Sequence, residues 1–296
     1  VAIFRGDSGR WEAHALSRLG HFSKENTLAQ PRHDDLTVLV STEDGPSTPD
    51  SQLWLYVGRK ERSPDASVLD RNGLLNGQLY VFVADGAIGE EDAWGTGTEI
   101  TGHWVRIPRA KHLNTEGLEA AADAVGAFGF IRIEDGAFSK VDPNTFYFVT
   151  TGSGYRRTDG SYVNELGRLY RLELDPTDPR GPATLTIEYD AQELAAAGED
   201  VAISPDNIDV STDTLMVQED GTSESRRRMA ALGRDGQIWA FPLEPDGRVN
   251  LDGRAPVAEL DASTSRWLKP DGTQAVPGPG VWESSGIIDL GGLLGA

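Results

Sequence analysis

Three Glu-Asp-Gly tripeptides stand at 43–45, 134–136 and 219–221 of a chain that has no cysteine. Carboxylates drawn from separate stretches of a chain suit hard divalent cations, which take several oxygen ligands. Asp-Gly is also a favoured hairpin turn, so each tripeptide alone reads more readily as turn chemistry. Recurrence is what points to a metal. Arg132-Ile133-Glu134 adds a cation to the second tripeptide. Positions two apart in a strand share a face, so Arg132 and Glu134 would point into one space. Such a pair is either a surface ion pair, which contributes little, or a site in which the carboxylate holds a metal while the guanidinium forks onto phosphate oxygens. Ser204-Pro205-Asp206-Asn207-Ile208 sets a carboxylate beside an amide oxygen, both hard ligands suited to calcium; an Asx turn before a strand is the alternative. Trp282-Glu283 places one more carboxylate just before a short apolar run.

Other chemistries find little here. Without cysteine there is no disulfide, zinc thiolate site or thiol nucleophile. The five histidines, His14, His21, His33, His103 and His112, form no HxH or HExxH pattern. Ser284 and Ser285 lack a GxSxG elbow. The glycines around Gly95-Thr96-Gly97 and Thr151-Gly152-Ser153-Gly154 do not match a phosphate-binding loop. Arg226-Arg227-Arg228 reads as a solvated loop. A net charge of −20 and a pI near 4.6 exclude a general positive field for tracking nucleic acid. No apolar run is long enough to span a membrane, and no signal peptide is visible. The chain opens on Val-Ala-Ile-Phe without Met and closes just after an apolar run, which reads as a processed chain or a fragment of a longer one.

The elements that must position these residues are short. Apolar, aromatic-rich runs of strand length recur at 36–41, 53–57, 78–83, 145–150, 168–174, 214–217, 237–241 and 287–290, closed by Gly, Asp, Asn or Pro. Helical patterns are confined to 114–127, where Asn114 or Thr115 would cap, and 191–197. Acidic or amide pair, strand, polar turn and second strand recur as a unit, the pattern of propeller blades. Inner strands of blades meet at a central axis, so a carboxylate at the same end of several would converge. The expectation is an all-β propeller with short helical insertions forming one domain over 1–296, with a β-sandwich or jelly roll as the alternative.

Taken in order, VAIFRGDSGRWEAHALSRL, LTVLVSTEDG, RIEDGAF with FYFVTTGSG, GRLYRLELD, SPDNIDVS with LMVQEDG, and VWESSGIIDL resemble segments of the PhoX-type alkaline phosphatases. The resemblance implies a calcium-dependent propeller hydrolase acting on small phosphate monoesters, exported from the cytoplasm. It implies that Arg132 binds phosphate beside a catalytic and metal-binding Glu134. By the same likeness Glu43, the Asp206-Asn207 pair and, as a weaker match, Glu283 hold metal. The family's iron centre includes a cysteine that this chain lacks, which leaves calcium as the expected ion and keeps two other readings open: a non-catalytic calcium-binding propeller for a partner or polysaccharide, and a lactonase-like hydrolase.

Overall fold

The recurrent strand-length runs become antiparallel meanders in the computed structural model, which describes residues 1–291 apart from 7, 33, 262, 264 and 265; His33 thus lies outside the described residues. A hairpin of β1 (Ala2–Arg5) and β2 (Trp11–His14) leads to β3 (Lys24–Ala29). Then come β4 (Leu36–Glu43), β5 (Leu53–Arg59), β6 (Gln78–Ala84) and β7 (Glu99–Arg106), with the short helix α1 (Val68–Arg71) between β5 and β6. Helix α2 (Thr115–Asp123) separates them from a second set: β8 (Ile133–Phe138), β9 (Thr145–Thr150), β10 (Arg168–Leu174) and β11 (Ala183–Asp190). Helix α3 (Ala191–Ala196) precedes a third set, β12 (Pro205–Val210), β13 (Thr214–Glu219), β14 (Gln237–Pro242) and β15 (Ala255–Glu259), with helix α4 (Ser223–Leu232) between β13 and β14. A two-stranded ribbon, β16 (Trp267–Leu268) and β17 (Gln274–Ala275), follows.

Each set is a four-stranded meander of sequence neighbours, as in a propeller blade. The last strands of the first two, β7 and β11, also pair, with Ala183 opposite Gly102. With β3 added beside β4, the two meanders form a nine-stranded sheet in the order β3-β4-β5-β6-β7-β11-β10-β9-β8. Its two end strands, β3 and β8, pack against each other, so the sheet nearly closes on itself. Strand β12 of the third meander packs against β8 and β9. Strands β3, β8 and β12 therefore line one axis. The architecture is all-β and propeller-like, as the sequence pattern predicts.

Two apolar clusters fix those strands. Val40, Leu55, Phe82, Phe130, Phe148 and Tyr170 interlock within the nine-stranded sheet, with Phe130 set edge-on to Phe148 and Tyr170 at centroid distances of 5.4 and 5.5 Å. Tyr147, Val149, Ile208, Val217, Trp239 and Phe241 join the second meander to the third. Both helices read from the sequence form, on the predicted Asn114 cap and on an Asp190 cap.

Two expectations change. Arg226–Arg228 lies on α4, not in a loop, because the Thr222 hydroxyl caps the helix by accepting from Ser225 N and Gly233 ends it in the left-handed conformation. Residues 287–290 form no strand; there the backbone N–H groups of Gly286 and Asp289 bond to side chains of β12, Asn207 Oδ1 at 3.1 Å and Asp209 Oδ2 at 2.6 Å, rather than to a ladder. Among the described residues no helix is long and apolar enough to cross a membrane.

Candidate metal centre

Every strand that lines the axis delivers a carboxylate to the same end of it. Glu25 comes from β3, Glu134 from β8 and Asp206 from β12, with one oxygen of each within 4.8 Å of the others. Asp206 belongs also to a second triad, with Asp220 from the end of β13 and Glu283 from the segment after β17, under the same limit. Two overlapping oxygen triads thus share one residue. The donor set is all carboxylate, which fits a hard divalent cation of the calcium or magnesium kind.

Arg132 faces this array, while Arg226 adds its charge at Glu283. Arg132 sends Nη2 to Glu134 Oε1 at 2.9 Å and Nε to Asp44 Oδ1 at 3.1 Å, and its Nη1 stands 3.7 Å from Asp220 Oδ2. The last distance is too long for a hydrogen bond, so the Nη1 protons remain available to a ligand. Arg132 and Glu134 do share one space, though not by strand alternation. Arg132 precedes β8 with φ of 55°, in the left-handed region that a non-glycine residue occupies only under constraint. Ser51 Oγ accepts from Arg132 N, and Thr151 N donates to Arg132 O, which pins that turn. Ser204, immediately before β12, has φ of 51°. The two axial strands that carry Glu134 and Asp206 both enter the centre through such a residue.

Like charges gathered out of water hold protons. Burial pushes Glu134 up to about 8, against the pull of Arg132. Burial, then the charges of Glu283 and Glu25, bring Asp206 to about 7. Asp220 also rises to about 7, by burial and by its hydrogen bond to Glu283, while that bond lowers Glu283, so a proton between them favours Asp220. Glu25 is raised by burial and by Asp44 and Asp135. Arg132 stays charged: burial opposes its charge, but Glu134, Asp44 and Asp220 outweigh it.

The three Glu-Asp-Gly tripeptides use their residues differently. In β4 and β13 the Glu is the last residue of its strand and turns inward to anchor neighbouring chain. Glu43 accepts from Trp54 Nε1 at 2.8 Å and Gln52 N at 3.3 Å. Glu219 accepts from Ile203 N and Gln237 N, both at 2.7 Å, and pairs with Arg234. The following Asp, Asp44 or Asp220, then faces Arg132. In β8 the tripeptide opens the strand, so the roles exchange: Glu134 faces Arg132, and Asp135 accepts from Asn26, Gly136 N and Ile208 N. The structure thus gathers Arg132, Glu134, Asp206 and Glu283 at one place. Asn207 lies next door, accepting from Gly286 N, and Glu43 stands apart, outside both triads. Asp44 and Asp220 were legible in the tripeptides once strand ends are counted; Glu25, on a strand without an apolar run, carries no sequence signal of its own.

Glu43 gives a stability prediction. Burial, then the hydrogen bond and charge of Glu119, raise it to about 9. Its folded value lies above the ordinary carboxyl value, so its contribution is complete below that value and is lost as pH rises toward 9. Glu43→Gln mimics the protonated form. The variant should unfold at higher temperature than the parent at pH 8.5, by the equivalent of about 1 kcal/mol or more, and should match it near pH 5. Equal melting curves at both pH values would show that Glu43 is ionised in the folded chain.

The family model described as alkaline phosphatase PhoX matches residues 6–256, a span that includes Arg132, Ser204 and every carboxylate of the centre except Glu283, which lies past its end. No curated protein matches the chain.

Proposed function

The chain belongs to the alkaline phosphatase PhoX family, and we propose that it hydrolyses small phosphate monoesters with calcium held by the two carboxylate triads. The observation that carries this reading is Arg132. Its side chain is anchored by two carboxylates, one of them in the first triad, and its Nη1 stands 3.7 Å from Asp220 of the second. A purely structural calcium site has no use for a guanidinium there, since a cation beside a cation weakens binding. A phosphate has use for both.

Calcium, when bound by Glu25, Glu134, Asp206, Asp220 and Glu283, supplies positive charge against the phosphate oxygens and Lewis acidity at the reacting centre. The chain's own groups do the rest. Arg132 binds an equatorial phosphate oxygen and meets charge that grows as the phosphoryl group transfers. Asp44 and Glu134 hold the guanidinium in plane, so little is lost in ordering it when substrate arrives. Thr151 Oγ1 donates to Glu134 Oε1 at 2.9 Å and fixes that carboxylate in turn. Because residues of all three meanders and the segment after β17 meet in this one centre, the chain acts in this reading as a single domain. The test is turnover of p-nitrophenyl phosphate by protein stripped of divalent cations and then supplied with calcium.

A further inference from the structure

Residues 276–290 run past the connection between β13 and β14 to reach β12, in neither strand nor helix. Among the described residues, no backbone–backbone hydrogen bond ties them to the rest of the chain. Bonds that involve a side chain hold them instead. Gly280 N donates to Asp235 Oδ1 at 2.9 Å, and Glu283 Oε2 accepts from Gly221 N at 3.4 Å. Gly286 N and Asp289 N donate to Asn207 and Asp209 of β12.

The two parts of this segment are held differently. Gly280 is buried against α4 with φ of 68°, and a Cβ there would stand 2.7 Å from Met229 Sδ and 3.3 Å from Arg226 Cα. Any side chain is strained at that seat. From 281 to 290 no residue is buried. Ile288 is 72 % exposed, although it lines a groove beside Ile208. So few bonds and so little apolar burial do not offset the ordering of ten residues. These residues belong to the least stable part of the fold.

Charge opposes their position as well. Glu283 sets a carboxylate within 4.8 Å of Asp206 and Asp220, and like charges so close repel. Arg226 offsets part of that repulsion. A divalent cation in the triad reverses its sign and makes Glu283 a ligand. Docking of the segment and binding of the cation therefore favour each other, by the same factor in both directions.

We propose that residues 281–290 form a strap that closes on the second triad when calcium fills it and opens when calcium leaves, with Gly280 as its fixed seat. The strap lies beyond residue 256, so this control is supplied from outside the family-matched span. The inference rests on calcium binding and not on phosphate chemistry.

The experiment is hydrogen exchange followed by mass spectrometry on the full chain at pH 8, stripped of divalent cations and then loaded with calcium alone. Exchange over 281–290 should slow by about tenfold or more when calcium binds, while β9 and β10 stay unchanged. Glu283→Gln should abolish that difference although calcium still fills the first triad. Gly280→Ala, which alters no member of either triad, should speed exchange over 281–290 and weaken calcium by about fivefold. Equal exchange in stripped and calcium-loaded chain overturns the strap and leaves the phosphatase reading standing. Faster exchange in Gly280→Ala with unaltered calcium affinity does the same. A calcium effect that β9 and β10 share equally is global and also overturns the strap. Calcium-dependent closure with no phosphate monoester hydrolysed supports the strap and overturns the phosphatase reading. Failure of calcium to bind overturns both.

Discussion

Arg132→Ala should lower kcat/KM for a simple phosphate monoester by about 100- to 1000-fold, the loss expected when a preorganised donor to the transferring group is removed. Calcium should bind the variant at least as tightly as the parent, because the substitution removes a positive charge beside the triads. This pairing of outcomes separates phosphate binding from scaffolding: loss of calcium together with activity would mean that Arg132 organises the carboxylates instead. The backbone offers a further control. Arg132 sits at φ of 55°, where glycine is free of the strain that a Cβ brings. Arg132→Gly should therefore be as inactive as Arg132→Ala yet more stable, by about 1 kcal/mol. Full activity in either variant would remove the guanidinium from the mechanism.

Asp206→Asn should have the larger effect on the metal. Asp206 is common to both triads, so neutralising it weakens both at once; calcium affinity should fall by about 100-fold, measured by calorimetry on metal-stripped protein. Glu283→Gln touches one triad and should cost about tenfold. Stability should move the other way. Burial and the charges of Glu283 and Glu25 raise Asp206 to about 7, so above that pH the ionised form opposes folding when no cation is bound. Metal-free Asp206→Asn should then melt no lower than metal-free parent at pH 8. A clear drop in its melting temperature would show that Asp206 supports the fold rather than the metal.

Much of this was readable in the chain because strand periodicity and turn residues are local signals. The runs at 145–150 and 168–174 coincide with β9 and β10, and the recurring acidic unit anticipated that β8 and β12 would start at one axis. What was hidden depended on contacts between distant segments. Strand β3 has only a weak apolar pattern and is fixed by pairing with β4 on one side and packing against β8 on the other, so Glu25 could not be placed from its neighbours in sequence. Which member of each Glu-Asp-Gly faces the axis depends on whether the tripeptide ends a strand or opens one, a matter of one residue. The register irregularity between Ile133 and Gly136 in β8 shows how small that margin is. Residues 287–290 have the apolar content of a strand, but they find side-chain acceptors on β12 instead of a free sheet edge. Local propensity cannot foresee that.

The central claim is that the two triads and Arg132 form one calcium-dependent phosphatase site. The most direct measurement is hydrolysis of p-nitrophenyl phosphate by the chain after exhaustive chelation and again after calcium is restored, with bound calcium quantified in both samples. Loss of turnover on stripping and its return in proportion to calcium bound is the predicted result. Turnover that persists in metal-free protein, or calcium that binds fully without any turnover, would contradict it.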